Sequence, residues 1–108
     1  MAQDVKAGEM VFTLCEPCHA VGNDAKNKAG PTLNGLDGRK AGTVRNFGYS
    51  SANKNSKITW NEATFKEYVR NPLTMMPGTL MMLSVKNENE IADLWAYLKQ
   101  FKADGSMK

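Results

Sequence analysis

The chain is poor in the residues that build most metal and redox sites: two cysteines and one histidine in 108 residues. Two thiols cannot complete a four-thiolate zinc site, and one imidazole excludes a two-histidine, two-cysteine finger. No apolar run approaches the ~20 residues that a membrane span needs. Basic runs are short as well. None exceeds the pair Arg39-Lys40, and acids are interleaved throughout. Nucleic-acid binders cluster Lys and Arg on one face or run, so the net charge of +3 reads as a solvated surface or as steering toward an acidic protein partner. Residues 1–57 carry 8 basic and 5 acidic groups, whereas residues 58–108 carry 6 of each, so the excess lies in the first half. Met1-Ala2-Gln3-Asp4 leads straight into an amphipathic pattern, so no signal peptide is read. The chain is then cytosolic, or a mature form with a replacement initiator Met.

What is present is a globular composition, 42% apolar and 23% charged, at a one-domain length. Ala7, Met10, Val11 and Leu14 fall at helical spacing and predict a first helix over about 4–15. Gly8 inside it costs about 1 kcal/mol relative to Ala, which points to close approach of a crossing backbone. Thr59-Trp60-Asn61-Glu62 predicts a second helix, with Thr59 as N-cap and Glu62 three residues on. Phe65, Tyr68 and Val69 form its inward stripe, and Pro72 stops it. A third helix begins near Asn87 with Glu90 at the capping-box position. It carries Ile91, Leu94, Trp95, Leu98 and Phe101 inward, and Gly105 is its expected terminator. Between the first two helices, residues 20–58 show no sustained period. A structureless connection of that length is uncommon in a compact domain. Its apolar residues Val21, Leu33, Leu36, Val44, Phe47 and Tyr49 need a surface to bury against. A large apolar body that is not protein would supply it.

Both cysteines and the histidine lie together in Cys15-Glu16-Pro17-Cys18-His19. Cys-x-x-Cys-His is the attachment sequence of c-type haem. Two thiols at this spacing add to the two vinyl groups on one macrocycle edge, and the next residue directs its imidazole at the iron. A thioredoxin-like redox pair would want a preceding strand, and a protein metal site would lack a fourth ligand. With a single histidine, the sixth iron position falls to Met, to Lys or to vacancy. Seven methionines are available, Met75, Met76, Met81 and Met82 among them, and spacing alone does not choose.

The chain resembles the class I cytochromes c, closest to the soluble photosynthetic cytochromes c of purple bacteria. The resemblance covers roughly residues 4–104. Its carriers are the haem motif, Gly30-Pro31-Thr32-Leu33, Gly35-Leu36-Asp37-Gly38-Arg39-Lys40, the run from Tyr49 to Asn55, Ile58-Thr59-Trp60, Asn71-Pro72, Pro77-Gly78-Thr79-Leu80-Met81 and Leu94-Trp95-Ala96-Tyr97-Leu98. It implies one all-α domain over 1–108: about four to five helices and long loops wrapped around one covalently bound haem, with Gly8, Phe12, Leu94 and Tyr97 where the terminal helices cross. It implies haem attached through Cys15 and Cys18, with His19 and Met81 as the iron ligands. Pro31 would accept from the distant nitrogen of His19. Tyr68, Thr79 and Asn53 would lie near Met81, and Arg39, Tyr49 and Trp60 would surround a buried propionate. The implied role is a one-electron carrier rather than an enzyme. It would be periplasmic, with the mitochondrial intermembrane space as the second compartment. As a monomer it would dock transiently through its haem edge on membrane-bound redox complexes: a quinol-oxidising complex, a photosynthetic reaction centre or an oxidase. The rival is a haem enzyme or gas-binding protein with an open or labile sixth position, peroxidase-like in its chemistry.

The chain departs from the pattern where related chains carry lysines around the haem edge. Leu80 and Leu73 replace them, and Leu73, Met75, Met76, Leu80, Met82 and Leu83 are expected to form an apolar rim. Such a rim would dock by apolar contact more than by charge.

Overall fold

The computed structural model describes residues 4–16, 18–28, 30–43, 56–76, 81 and 84–107. Among them lie four helices: α1 (Val5–Phe12), α2 (Glu62–Arg70), α3 (Pro72–Met75) and α4 (Glu88–Leu98). The described residues form no strand, only antiparallel bridges between Lys40 and Thr59 and between Phe101 and Met107.

The core is built on α4. Ile91, Leu94, Trp95 and Leu98 are its most deeply buried side chains, each aliphatic one contributing about 1.5–3 kcal/mol on burial. The α2 stripe of Phe65, Tyr68 and Val69 packs on them, with the Phe65 and Trp95 rings 5.1 Å apart. On the other side α1 crosses α4 closely. Gly8 is buried there, and Phe12 and Tyr97 rings meet at 5.6 Å. Asp4 caps α1, its carboxylate accepting from the Lys6 and Ala7 amides. The Asp4 amide donates to the Asp93 carboxylate at 2.8 Å, which ties the start of α1 to α4. The crossing expected at Gly8, Phe12, Leu94 and Tyr97 is the one observed.

The described part of the long connection is held by tertiary bonds rather than by a repeating ladder. Asn34 brackets Gly22, accepting from its amide at 2.8 Å and donating to its carbonyl at 3.0 Å. Gly35 N donates to Phe101 O, Gly38 N to Trp60 O and Ala41 N to Ile58 O. Each bond pairs a backbone group that no helix or sheet ladder satisfies.

Four local expectations are corrected. The inward stripe of α1 is Gly8, Val11, Phe12 and Cys15, whereas Met10 and Leu14 are 74% and 56% exposed. Both stripes have helical spacing, and close approach at Gly8 selects the one that carries the glycine. Regular helix ends at Phe12, and residues 13–16 continue as turns rather than as part of α1. The N-cap of α2 is Asn61, not Thr59. Asn61 Oδ1 accepts from Thr64 N and Thr64 Oγ1 accepts from Asn61 N, a reciprocal box, while Thr59 is engaged in the bridge to Lys40. Finally, α4 stops at Leu98, well before Gly105. The Phe101 carbonyl is taken by Gly35 N, and the tail folds back through Lys102 N to Ser106 O. Gly105, at φ +89°, turns that tail.

Candidate cofactor site

The chain turns tightly between Cys15 and His19. Cys18 N and His19 N both donate to Cys15 O, at 2.9 and 2.8 Å. This i to i+3 and i+4 pattern brings positions 15, 18 and 19 to one side of the chain. Both thiols are free; Cys15 is buried and Cys18 exposed. Burial, with Cys18 adding to it, pushes the Cys15 thiol up to about 11.

His19 is oriented from behind. Its Nδ1 lies 2.7 Å from the Pro31 carbonyl. A carbonyl only accepts, so Nδ1 carries the proton and Nε2 keeps the lone pair. Burial holds the imidazole below its ordinary pKa, with Arg39 and Lys28 adding and the Pro31 bond opposing. The ring is therefore neutral at neutral pH. Gly30 closes the back of the pocket. A Cβ there would sit 2.7 Å from both ring nitrogens and nearer still to Cε1. Gly30 N donates to Cys18 O at 2.7 Å, Thr32 N to Asn27 Oδ1 at 3.0 Å and Lys28 Nζ to Glu16 O at 2.7 Å. Gly30 and Lys28 thus staple their loop to the cysteine turn, and Asn27 braces it internally.

The remaining site residues divide between this loop system and the core. Arg39 Nη1 donates to the carbonyls of Thr32 and Asn34, at 2.7 and 3.1 Å, which braces the same loop. Trp60 is buried edge-on to Tyr68 at 5.1 Å. Met81 is half-buried and packs against the core cluster that holds Trp60 and Tyr68. Tyr49, Asn53 and Thr79 lie outside the described residues, as do Leu80, Met82 and Leu83 of the expected apolar rim. The rest of that rim splits. Leu73 is 48% exposed and Met75 half-buried, but Met76 is a core residue at 3% exposure. α3 starts at Pro72, and Pro72 and the C-cap residue Met76 turn inward while Leu73 faces outward. Met76 is therefore removed from the rim.

Sequence reading assigned no role to Gly30, Asn27 or Asn34. Gly30 stood inside a quoted motif, but only the distance to the His19 ring reveals its function. The two asparagines gave no signal beyond loop composition.

This donor set fits a covalently attached haem. Two unoxidised thiols lie one turn apart, and the adjacent imidazole is neutral with its second nitrogen engaged. A family model described as Cytochrome c matches residues 5–102. The chain belongs to the cytochrome c family. It is 58% identical over 107 residues to a cytochrome c2 of Rhodoplanes tepidamans, covering 98% of this chain and 100% of that one. It is 56% identical over 108 residues to a cytochrome c2 of Blastochloris viridis, covering 99% and 85%. Among solved structures, cytochrome c2 from Rhodospirillum centenum superposes with a TM-score of 0.88 at 34% identity, covering 92% of this chain and 98% of that one. The protein is a c-type cytochrome of the kind found in purple bacteria, with its haem attached through Cys15 and Cys18, and it is an electron carrier. The peroxidase-like alternative finds no support among these relatives.

Proposed function

We propose that His19 Nε2 and Met81 Sδ are the two axial ligands, and that residues 1–108 form one domain serving as a periplasmic one-electron shuttle without catalytic activity of its own. The observation that carries this reading is the His19–Pro31 bond, which commits Nδ1 to a carbonyl and leaves Nε2 as the ring's only donor atom. When bound, the haem supplies a one-electron iron couple, and His/Met ligation raises its potential. The chain's part is to hold both ligands still and to keep water away. Pro31 makes the imidazole a stronger donor, Gly30 fixes its plane, and the core around Trp60 and Tyr68 gives Met81 an apolar seat. Arg39, Trp60 and Tyr49 would surround a buried propionate, with Arg39 neutralising it, since an unpaired carboxylate in an apolar pocket is costly. Tyr68, Asn53 and Thr79 would line the methionine side. No proton moves and no substrate is turned over; one electron enters and one leaves.

The partners that fit are membrane-bound redox complexes, a quinol-oxidising donor and a reaction centre or oxidase as acceptor, met transiently by a monomer at the haem edge. No described helix is long and apolar enough to cross a membrane.

The visible spectrum tests the ligand assignment. The ferric protein should show the weak far-red absorption of a methionine-ligated haem, and the ferrous form should not bind carbon monoxide rapidly. Met81→Ala should abolish the far-red feature and open the iron to added ligands. An unchanged spectrum in that variant would refute the assignment.

A further inference from the structure

The segment that carries Met81 leaves α2 after Arg70 and rejoins regular structure at Glu88, the first residue of α4. Its two ends are fastened to each other. Arg70 Nε donates to Glu88 Oε2 and Arg70 Nη2 to Glu88 Oε1, both at 2.7 Å, a fork-to-fork pair. Lys86 Nζ donates to the Arg70 carbonyl at 2.6 Å, so the main chain and side chain of one residue are both tied across the gap. Beneath them Val85 N donates to Val69 O at 2.7 Å, and the Val85 side chain is buried. These bonds hold together the two ends of the stretch that carries α3 and Met81.

We infer that Arg70 and Glu88 are positioning residues for Met81, forming an electrostatic clasp that holds the two ends of its segment together. This rests on the reading of Met81 as the iron's second axial ligand. Arg70 ends α2, where the helix dipole is negative, and Glu88 opens α4, where it is positive. Each charge suits its own helix end as well as its partner. The pair lies in solvent, with side-chain exposures of 43% and 65%, so its share of global stability is small. Its leverage is local. A ligand that leaves the iron returns quickly if its segment is held nearby, and is lost if the base of the loop opens. Loop opening requires Val85 to part from Val69, and the clasp lies directly beside that bond in sequence.

Imidazole is the probe, because it takes the iron only when Met81 has left. In the haem-loaded ferric protein at low salt, Glu88→Gln should tighten apparent imidazole binding about two- to fivefold, the range that an exposed ion pair supports. Arg70→Glu should do the same. The reversed double variant, Arg70→Glu with Glu88→Arg, should bind imidazole more weakly than either single variant. Near 1 M salt, where screening acts within about 3 Å, the difference between Glu88→Gln and the parent should largely vanish. Unchanged imidazole affinity in Glu88→Gln would overturn the clasp, as would a difference that persists undiminished at high salt or a double variant no better than the singles. Met81→Ala separates the two readings. If that variant keeps the far-red absorption, the ligand assignment has failed. If it loses the absorption while Glu88→Gln changes nothing, only the clasp has failed.

Discussion

Replacing Gly8 by Ala tests the packing on which the fold depends. The new Cβ would meet the Asp93 peptide, with the carbonyl carbon at 2.6 Å and the oxygen closer, and would lie 2.9 Å from Tyr97 Cβ. Ordinary carbon contacts sit near 3.5–4 Å, so α1 and α4 must separate by roughly 1 Å. The obstructing atoms are mainly main chain, which cannot swing aside as a flexible side chain would. Overpacking of this kind costs about 1–3 kcal/mol, and a backbone obstruction belongs at the upper end. Ala in place of Gly returns about 1 kcal/mol of helix propensity. The expected net loss is about 1–2 kcal/mol, or a fall in Tm of roughly 4–16 °C for a domain of this size. Urea unfolding of the haem-loaded protein, followed by far-ultraviolet circular dichroism, reads it. Glu9→Ala, on the exposed side of the same helix, is the control and should be near neutral. The far-red absorption should be unchanged, because the crossing lies outside the ligand set. A Gly8→Ala protein as stable as the parent would show that the helices do not meet as closely as described.

Two further substitutions probe the site and the α2 cap. Gly30→Ala should drive the His19 ring off the Pro31 carbonyl. Losing a hydrogen bond that strengthens the imidazole donor destabilises the ferric state, so the reduction potential should rise by about 20–65 mV, the one-electron equivalent of about 0.5–1.5 kcal/mol. A redox titration showing no shift, or a fall, would refute the orienting role of Gly30. Asn61→Ala should cost about 1 kcal/mol of stability through loss of the cap, with Asn61→Asp retaining most of it. Thr59→Ala should cost less in the same unfolding assay, and the reverse order would restore Thr59 as the capping residue.

The parts legible in sequence are those whose chemistry is local. The cysteine turn, its histidine and the glycine at the helix crossing each declare themselves within a few residues. So do the α2 and α4 stripes, where Phe65, Tyr68 and Val69 or Ile91, Leu94 and Leu98 leave one sensible phase. The phase of α1 was not legible, because Ala7-Met10-Val11-Leu14 and Gly8-Val11-Phe12-Cys15 have the same spacing and only the partner helix selects between them. The cap of α2 was ambiguous for a similar reason: Thr59 and Asn61 are both good caps, and the bridge to Lys40 engages the first. The end of α4 depends on Gly35, which is remote in sequence and captures the Phe101 carbonyl. Gly30 behind His19 and the clasp between Arg70 and Glu88 are likewise tertiary facts, with no periodic or compositional trace.

The two sides of the site are held by different physics. Behind His19, short bonds from main-chain groups and half-buried side chains converge on one loop: Pro31 O on the imidazole, Gly30 N on Cys18 O, Arg39 on the carbonyls of Thr32 and Asn34. Covalent attachment at Cys15 and Cys18 flanks the same turn. One exposed charge joins them, Lys28 on the Glu16 carbonyl, but no ion pair holds that loop among these bonds. The Met81 segment is anchored differently, by a fork-to-fork ion pair and a lysine in solvent above one backbone bond. Salt and charge substitutions should therefore act mainly on the Met81 side. A carrier benefits from this asymmetry. With His19 and Met81 as the proposed ligands, both would stay in place through the redox cycle, little would reorganise as the electron moves, and coordination would be lost first from the methionine side while the histidine stays fixed to its loop.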